Sequence, residues 1–259
     1  MYNLAPGNIL QNMYIKARIR EMPDSYETFC EIGSGNGVIS NIFLEHGYRG
    51  FSYEINPESC KINNHLNNGY IQNSNYEIKN MDFLADKIDN KVDVIITCMV
   101  IEHLPDEKVS QFFTHCRSIL NKNGIIVTLV PSNKKYWGIE DETAGHYKRY
   151  EFNDFNVIAS QHNLKLKHIA GLTYPLSNFL FRISNHLVRK SEKWKKDLSI
   201  DERTANSASG VRSIKFKTEF PDYFKYFLNE ITMYPFYLLQ VFFKRNKNCM
   251  VIYSELSNQ

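Results

Sequence analysis

Residues 29–37 read Phe-Cys-Glu-Ile-Gly-Ser-Gly-Asn-Gly: an apolar run that breaks into three alternating glycines, with Glu31 two residues before the first. A glycine-rich turn between a strand and a helix lets a ligand come close to the backbone. The spacing decides against a dinucleotide. That fingerprint needs Gly-x-Gly-x-x-Gly, whereas the third glycine here, Gly37, comes one residue early and Val38 takes the dinucleotide position. Glu31 would repel a pyrophosphate and suits a cationic ligand. A second acid, Glu54, ends the next apolar run, where nucleotide-binding sheets use a carboxylate to accept hydrogen bonds from ribose hydroxyls. His103 and His146 are the candidate proton carriers near neutral pH.

These residues need elements to position them. Helical spacing of apolar residues predicts an N-terminal helix over 8–20. Strands and helices then alternate: strands at 29–32, 50–54, 76–79, 92–98 and 125–130, helices at 38–46, 57–67 and 106–120. Pro57 stands where a first-turn proline belongs, and the turn Asn121-Lys122-Asn123-Gly124 precedes the fifth strand. Near-continuous apolar strands between amphipathic helices predict a parallel sheet covered on both faces. After Pro131 a polar, aromatic loop over 132–149 leads to a helix at 152–162 and a strand at 164–170. A long segment, 171–247, carries helical stripes and a polar loop at 201–210, and a last strand is expected at 249–256. Its length argues that 171–247 has structure or function of its own.

The chain has 259 residues, 43% hydrophobic and 23% charged, which suits one large domain or two unequal ones. Its net charge of +3 is too small to argue for a nucleic-acid partner. Five scattered cysteines without ligand spacing read as free thiols in a reducing cytosol. No signal peptide is expected from the first residues. The apolar stretch 231–243 contains Pro235 and is too short for a membrane span.

Glu-x-Gly-x-Gly-x-Gly after a strand resembles the first motif of the class I S-adenosylmethionine methyltransferases. The run 92–106, Val-Asp-Val-Ile-Ile-Thr-Cys-Met-Val-Ile-Glu-His-Leu-Pro-Asp, resembles a fourth-strand motif of their ubiquinone-biosynthesis-like branch. The resemblance covers about residues 25–170. It implies an α/β fold with a doubly wound, seven-stranded, Rossmann-like sheet whose last strand runs antiparallel. The expected division is a lid helix at 1–24, a cofactor-binding part at 25–170, a helical insertion at 171–247 and the final strand at 248–259. The implied cofactor is S-adenosylmethionine. Glu31 would lie near its amino-acid part, beside Gly33, Ser34, Gly35 and Gly37. Glu54 and Ile55 would hold the ribose. Asp82 would contact the adenine amine with Phe83 packing on the ring, and Cys98 and Met99 would flank the cofactor. Enzymes that methylate adenine carry Asn/Asp-Pro-Pro-Tyr/Phe after the fourth strand; Met99-Val100-Ile101-Glu102 stands there instead.

Methyl transfer to a hydroxyl needs a positioned base, and His146 is the first candidate, His103 its rival. The segment Ala144-Gly-His-Tyr-Lys-Arg-Tyr150 resembles a Gly-His-x-Arg-x-Tyr segment of bacterial surface-polysaccharide-linked methyltransferases, with Arg149 one residue late. The Pro6–Arg18 pattern is similar to the same relatives and is expected to fold over the cofactor as a lid. Glu102, Tyr136, Trp137, Tyr147 and Arg149 form the candidate acceptor-binding set, with Lys148 and Arg149 toward an anionic group. Some relatives bind a divalent ion through Glu-x-x-Glu-His and a later histidine. Glu102, His103 and His146 match three of those positions, but Met99 replaces the first acid and is a poor ligand for a hard cation, so no metal is expected.

The expected activity is O-methylation of a small or glycan-linked acceptor, a sugar hydroxyl or a phosphoryl or phosphoramidate oxygen, in bacterial capsule or surface-polysaccharide biosynthesis. The alternatives are an RNA 2′-O-methyltransferase, a quinone-pathway O-methyltransferase and a non-catalytic S-adenosylmethionine-binding partner. A dehydrogenase is the weakest reading. The chain is expected in the cytoplasm as a monomer or homodimer, without a nucleic-acid partner. Lys190, Lys193, Lys195 and Lys196 around Trp194 read as a solvated helix face, though peripheral membrane contact stays open.

Overall fold

The computed structural model describes residues 4–86, 90–191, 199, 202 and 222–258. The apolar runs form β1 (Thr28–Ile32), β2 (Arg49–Tyr53), β3 (Tyr76–Lys79), β4 (Val92–Cys98), β5 (Leu120–Pro131), β6 (Leu164–Leu172) and β7 (Val251–Asn258). They join in one sheet of order β3-β2-β1-β4-β5-β7-β6. Strands β1 to β5 pair in parallel, and β7 runs antiparallel to both its neighbours. This is the expected doubly wound sheet. The chain winds outward from β1 to β3, then returns to lay β4 and β5 on the other side. Ligands of such sheets bind at the strand ends where the order reverses, here between β1 and β4.

Helices α1 (Pro6–Ile19), α2 (Val38–Glu45), α3 (Pro57–Leu66), α4 (Asn68–Gln72), α5 (Asp106–Ile119), α6 (Ile139–Ala144), α7 (Asp154–Gln161), α8 (Leu176–Ser191) and α9 (Glu230–Phe242) complete the described elements. The two-residue period of the strands divides the core. On β4, Val94 and Ile96 face a cluster with Phe29, Phe43 and Tyr14, while Ile95 faces Phe112, Phe113 and Phe155 on the other side. Pro57 sits at the start of α3 and Asn56 caps it, its side chain accepting from Ser59 N at 2.9 Å. Helix α1 is fastened across the sheet edge. Tyr14 Oη lies 2.8 Å from His168 Nε2, and Arg18 donates twice to Glu255 at 2.8 and 2.9 Å.

Several boundaries differ from expectation. The turn expected at 121–124 is part of β5, because Asn121 bonds Asp93 at 2.7 Å and Gly124 lies against the Asp93 carbonyl, where any Cβ would clash at 2.7 Å. The loop expected over 132–149 contains α6, a one-and-a-half-turn helix too short to show a period. The last strand begins at Val251 rather than 249. All five cysteines are free thiols; Cys30, Cys116 and Cys249 are buried. The expected polar loop at 201–210, Glu202 apart, and the cluster of Lys193, Trp194, Lys195 and Lys196 lie outside the described residues.

Candidate active site

The glycine turn leaves β1 at the reversal of strand order. The amides of Gly33 and Ser34 both donate to the Tyr53 carbonyl, at 2.9 and 3.1 Å, which folds the turn onto β2. Gly33, Gly35 and Gly37 all have positive φ (73°, 50° and 79°), the region that disfavours a side chain. Space divides them. A Cβ on Gly33 would lie 2.3 Å from Val100 Cγ2, and one on Gly37 would lie 2.1 Å from Asn63 Oδ1. A Cβ on Gly35 would meet nothing within 4 Å. Gly35 is thus the point where backbone faces open space.

Two acids brace this turn. Glu54 Oε2 accepts from Gly35 N at 2.7 Å and its Oε1 from Asn56 N at 2.8 Å. Burial pushes the Glu54 carboxyl upward. Glu31 is fully buried and accepts a bond from Ser40 Oγ; burial pushes its carboxyl up to about 8. Behind it the Tyr76 hydroxyl lies 2.8 Å from Ser40 Oγ and 2.6 Å from Ser52 Oγ, and accepts from Asn63, which also bonds Ser34. Ile55 is exposed beside Glu54. Asp82 is exposed and accepts from Leu84 N at 3.0 Å. Phe83 departs from expectation. Its ring is buried against Tyr53, Phe112 and His115, so the core takes the face that was expected to pack on a ligand. Cys98 faces Gln11 of α1, and Met99 adopts φ 56° at the end of β4.

Beyond Met99 opens a cavity of about 620 Å³. Its polar wall is Glu102, His103, His146 and Arg149; its apolar wall includes Leu180, Phe181 and Leu187 of α8. The start of α1, around Gly7, Asn8 and Gln11, also lines it. His146 is held by what precedes it. Gly145 ends α6 in the left-handed conformation (φ 76°), and the chain turns back so that His146 Nδ1 lies 3.0 Å from Asp141 Oδ1. Asp141 is buried and also accepts from Arg149 Nε at 2.8 Å and Gly138 N at 2.9 Å. Burial alone would raise the Asp141 carboxyl, but the bonds from His146 and Arg149 hold it below the ordinary range. An ionised carboxylate only accepts, so Nδ1 carries the proton and Nε2 is the basic nitrogen of the neutral ring.

The acceptor-binding set is only partly assembled. Glu102 and Arg149 line the cavity; Tyr136, Trp137 and Tyr147 do not. Tyr136 instead props α8, its ring against Phe181 and its hydroxyl accepting from Asn178 at 2.8 Å. Trp137 and Tyr147 are exposed, and the Tyr147 amide donates to Glu102 O at 2.8 Å. Arg149 is not free for an anion, because Asp141 and the Ser132 carbonyl (3.1 Å) engage its guanidinium. Lys148 pairs with Asp106. Asp141 was the residue missed. It lies among Glu140 and Glu142, and three consecutive acids carry no signal for which one turns inward.

The His103 and His146 rings meet edge-on with centroids 4.6 Å apart, and candidate ligand atoms of Glu102, His103 and His146 lie within 4.8 Å of one another. Both Glu102 carboxylate oxygens are buried without a hydrogen-bond partner, and burial pushes this group up to about 7. The folded state therefore keeps a proton that the unfolded chain loses at an ordinary glutamate pKa of about 4.3. Stability from this group falls as pH rises through that window, by ~4 kcal/mol at most above it. Glu102→Gln, which cannot ionise, is expected to melt well above the parent at pH 8 and close to it at pH 5. An equal offset at both pH values in thermal denaturation would rule this out.

Residues 10–169 match a family model described as a methyltransferase domain. No curated protein matches the chain in sequence. Solved structures are similar in fold. The O-methyltransferase of a trans-AT PKS multienzyme from Brevibacillus brevis, in complex with S-adenosyl-L-homocysteine, has a TM-score of 0.55 at 13% identity, over 95% of this chain and 71% of that one. Magnesium protoporphyrin IX methyltransferase from Synechocystis PCC 6803, with bound S-adenosyl-L-homocysteine, gives 0.55 at 14%, over 64% and 77%. The StiE O-methyltransferase, residues 942–1257, gives 0.55 at 12%, over 96% and 74%. With the family model spanning more than half of its residues, the chain belongs to the class I S-adenosylmethionine-dependent methyltransferases.

Proposed function

We propose that this enzyme methylates an oxygen of a small or glycan-linked acceptor, with His146 as the base. The observation that carries the reading is the His146–Asp141 pair at the cavity wall: a ring with its tautomer set by a buried carboxylate and its other nitrogen left basic. When bound, S-adenosylmethionine supplies an electrophilic methyl group on a sulfonium centre. The groups present fit this cofactor. Gly35 leaves backbone facing open space, Glu54 stands 2.7 Å from its amide at the end of β2, and the buried acids Glu31 and Glu102 would be stabilised by a cation nearby. In this reading Glu54 accepts from ribose hydroxyls, Asp82 faces the adenine amine, and Met99 and Cys98 flank the cofactor. His146 Nε2 removes the acceptor's proton as the oxygen attacks, and the cavity holds the acceptor in line. The setting, surface-polysaccharide biosynthesis in a bacterial cytoplasm, rests on the resemblance of residues 144–150 and 6–18 to enzymes of such pathways.

Calorimetry tests the cofactor assignment. S-adenosylhomocysteine is expected to bind in the micromolar range, about −8 kcal/mol. Glu54→Ala should weaken that by ~1.5–3 kcal/mol, the range for a hydrogen bond to a charged group. No binding, or unchanged affinity in the variant, would overturn it. The same reading needs no metal. Turnover is expected to persist in a chelator, because Met99 holds the motif position at which the metal-binding relatives carry their first acid. The cluster of Glu102, His103 and His146 supports a second reading, in which a divalent ion binds there. Activity lost to chelator and restored by a divalent ion would establish that reading and make the three residues its ligands.

A further inference from the structure

Helix α9 is apolar on nearly every side. From Ile231 to Phe243 it carries no charged residue. Met233 and Gln240 are buried and Tyr237 is half-buried, which defines one narrow stripe. That stripe is anchored: Gln240 accepts from Thr173 N at 2.7 Å and donates to the Leu10 carbonyl at 3.1 Å. At 100° per residue, the exposed Ile231, Tyr234, Phe236, Leu238, Leu239 and Phe242 cover more than half of the circumference. Ile231 is 86% and Phe242 80% exposed. A helix that is apolar all round is normally buried or in contact with lipid. The surface continues through Tyr223, Tyr226 and Phe227, all exposed, toward the cavity, which Phe224 and Leu228 line from the same segment. Across the mouth stands α8, where Ile183 lines the cavity and is exposed, with exposed Phe179 one turn away.

The charges that border this surface select the occupant. Lys244, Arg245 and Lys247 follow α9 directly, with Arg245 and Lys247 exposed. Arg182, Arg189 and Lys190 lie on α8, and Arg20 follows α1; the neighbouring acids are fewer, Glu21, which pairs with Arg18, and Asp222 at the start of the 222–226 turn. The acid at the start of α9, Glu230, is neutralised by Lys16 at 2.7 Å. A second copy of the chain, docked face to face, would bring these cations toward their own images. An anionic lipid surface complements both parts of the pattern, as the apolar face enters the headgroup boundary and the basic residues meet the phosphates. Tyrosines with an apolar body and a polar tip are at home in that layer. No helix among the described residues is long and apolar enough to cross a membrane, so α9 would lie in the plane of the interface.

We propose that the enzyme docks on an anionic bilayer through α9 and the 223–227 segment, with the apolar side of its cavity mouth facing the lipid. The proposal does not depend on which acceptor oxygen is methylated. The test is flotation of the full chain with phosphatidylcholine vesicles, with and without phosphatidylglycerol. The chain should float with the anionic vesicles and much less with neutral ones, and raised salt should weaken binding. The double variant Ile231→Glu/Phe242→Glu should stay at the bottom while its melting temperature and S-adenosylhomocysteine affinity match the parent. Arg245→Glu and Lys247→Glu should each cost at least ~5-fold in vesicle affinity. Failure of the parent to float, or equal flotation of the double variant, would overturn the proposal. So would a parent dimer in light scattering that the double variant turns into a monomer, because a second copy would then hold this face.

Discussion

His146→Ala is expected to lower turnover by ~10²–10⁴, the usual contribution of a positioned acid–base group, with cofactor affinity little changed. The ring sits in the cavity wall, and its Nδ1 is committed to Asp141 at 3.0 Å. His103→Ala should do less, because His103 belongs to the short turn Ile101–His103 after β4 and meets the His146 ring edge-on. Asp141→Asn separates base from bystander. An amide can donate to Nδ1 and stabilise the wrong tautomer, so the variant should lose turnover while the acceptor Michaelis constant moves little. If the ring acts as base, the parent's turnover should show an acid limb in its pH profile, and His146→Ala should lose that limb. A flat profile with a raised acceptor Michaelis constant would demote His146 to a binding residue, as fits an acceptor oxygen that is already anionic.

Arg149→Met is expected to destabilise the protein by ~3–5 kcal/mol, the usual cost of breaking one partner from a buried ion pair. Arg149 and Asp141 are both buried, and the guanidinium also holds the Ser132 carbonyl at 3.1 Å. The sign with pH follows from Asp141, whose carboxyl is held below its ordinary value. Its contribution is complete above the unfolded aspartate pKa of about 3.9 and is lost as pH falls through the lower folded value. The Arg149→Met penalty should therefore be largest near neutral pH and shrink in acid below that point. Denaturant titrations at neutral and acid pH check this, and a penalty that does not change with pH would show that Arg149 contributes by packing alone.

Arg149 also shows where reading by residue type misleads. An arginine beside two tyrosines and a lysine invites an anion, and nothing in one dimension says that an acid eight residues earlier has already claimed it. The same limit applies to Tyr136, Trp137 and Tyr147, which belong to the expected loop but do not line the cavity. Local sequence is informative where backbone geometry is extreme. Gly33, Gly35 and Gly37 all have positive φ, and at Gly33 and Gly37 a Cβ would also clash with Val100 and Asn63.

The sequence by itself determined the sheet and the glycine turn. Alternating apolar runs specify covered parallel strands, and the glycine turn with Glu31 and Glu54 is contiguous with those strands, so placing the strands places the turn. Tertiary structure alone decided the cavity beyond Met99. The cavity is assembled from the end of β4, the segment after α6, the start of α1 and the face of α8, which are distant in the chain. Which of three adjacent acids reaches His146 depends on the left-handed turn at Gly145, and whether Phe83 faces a ligand or the core depends on Phe112 arriving from α5. Periodicity reports which side of an element is apolar, but the partner that covers that side is chosen by packing across the sheet.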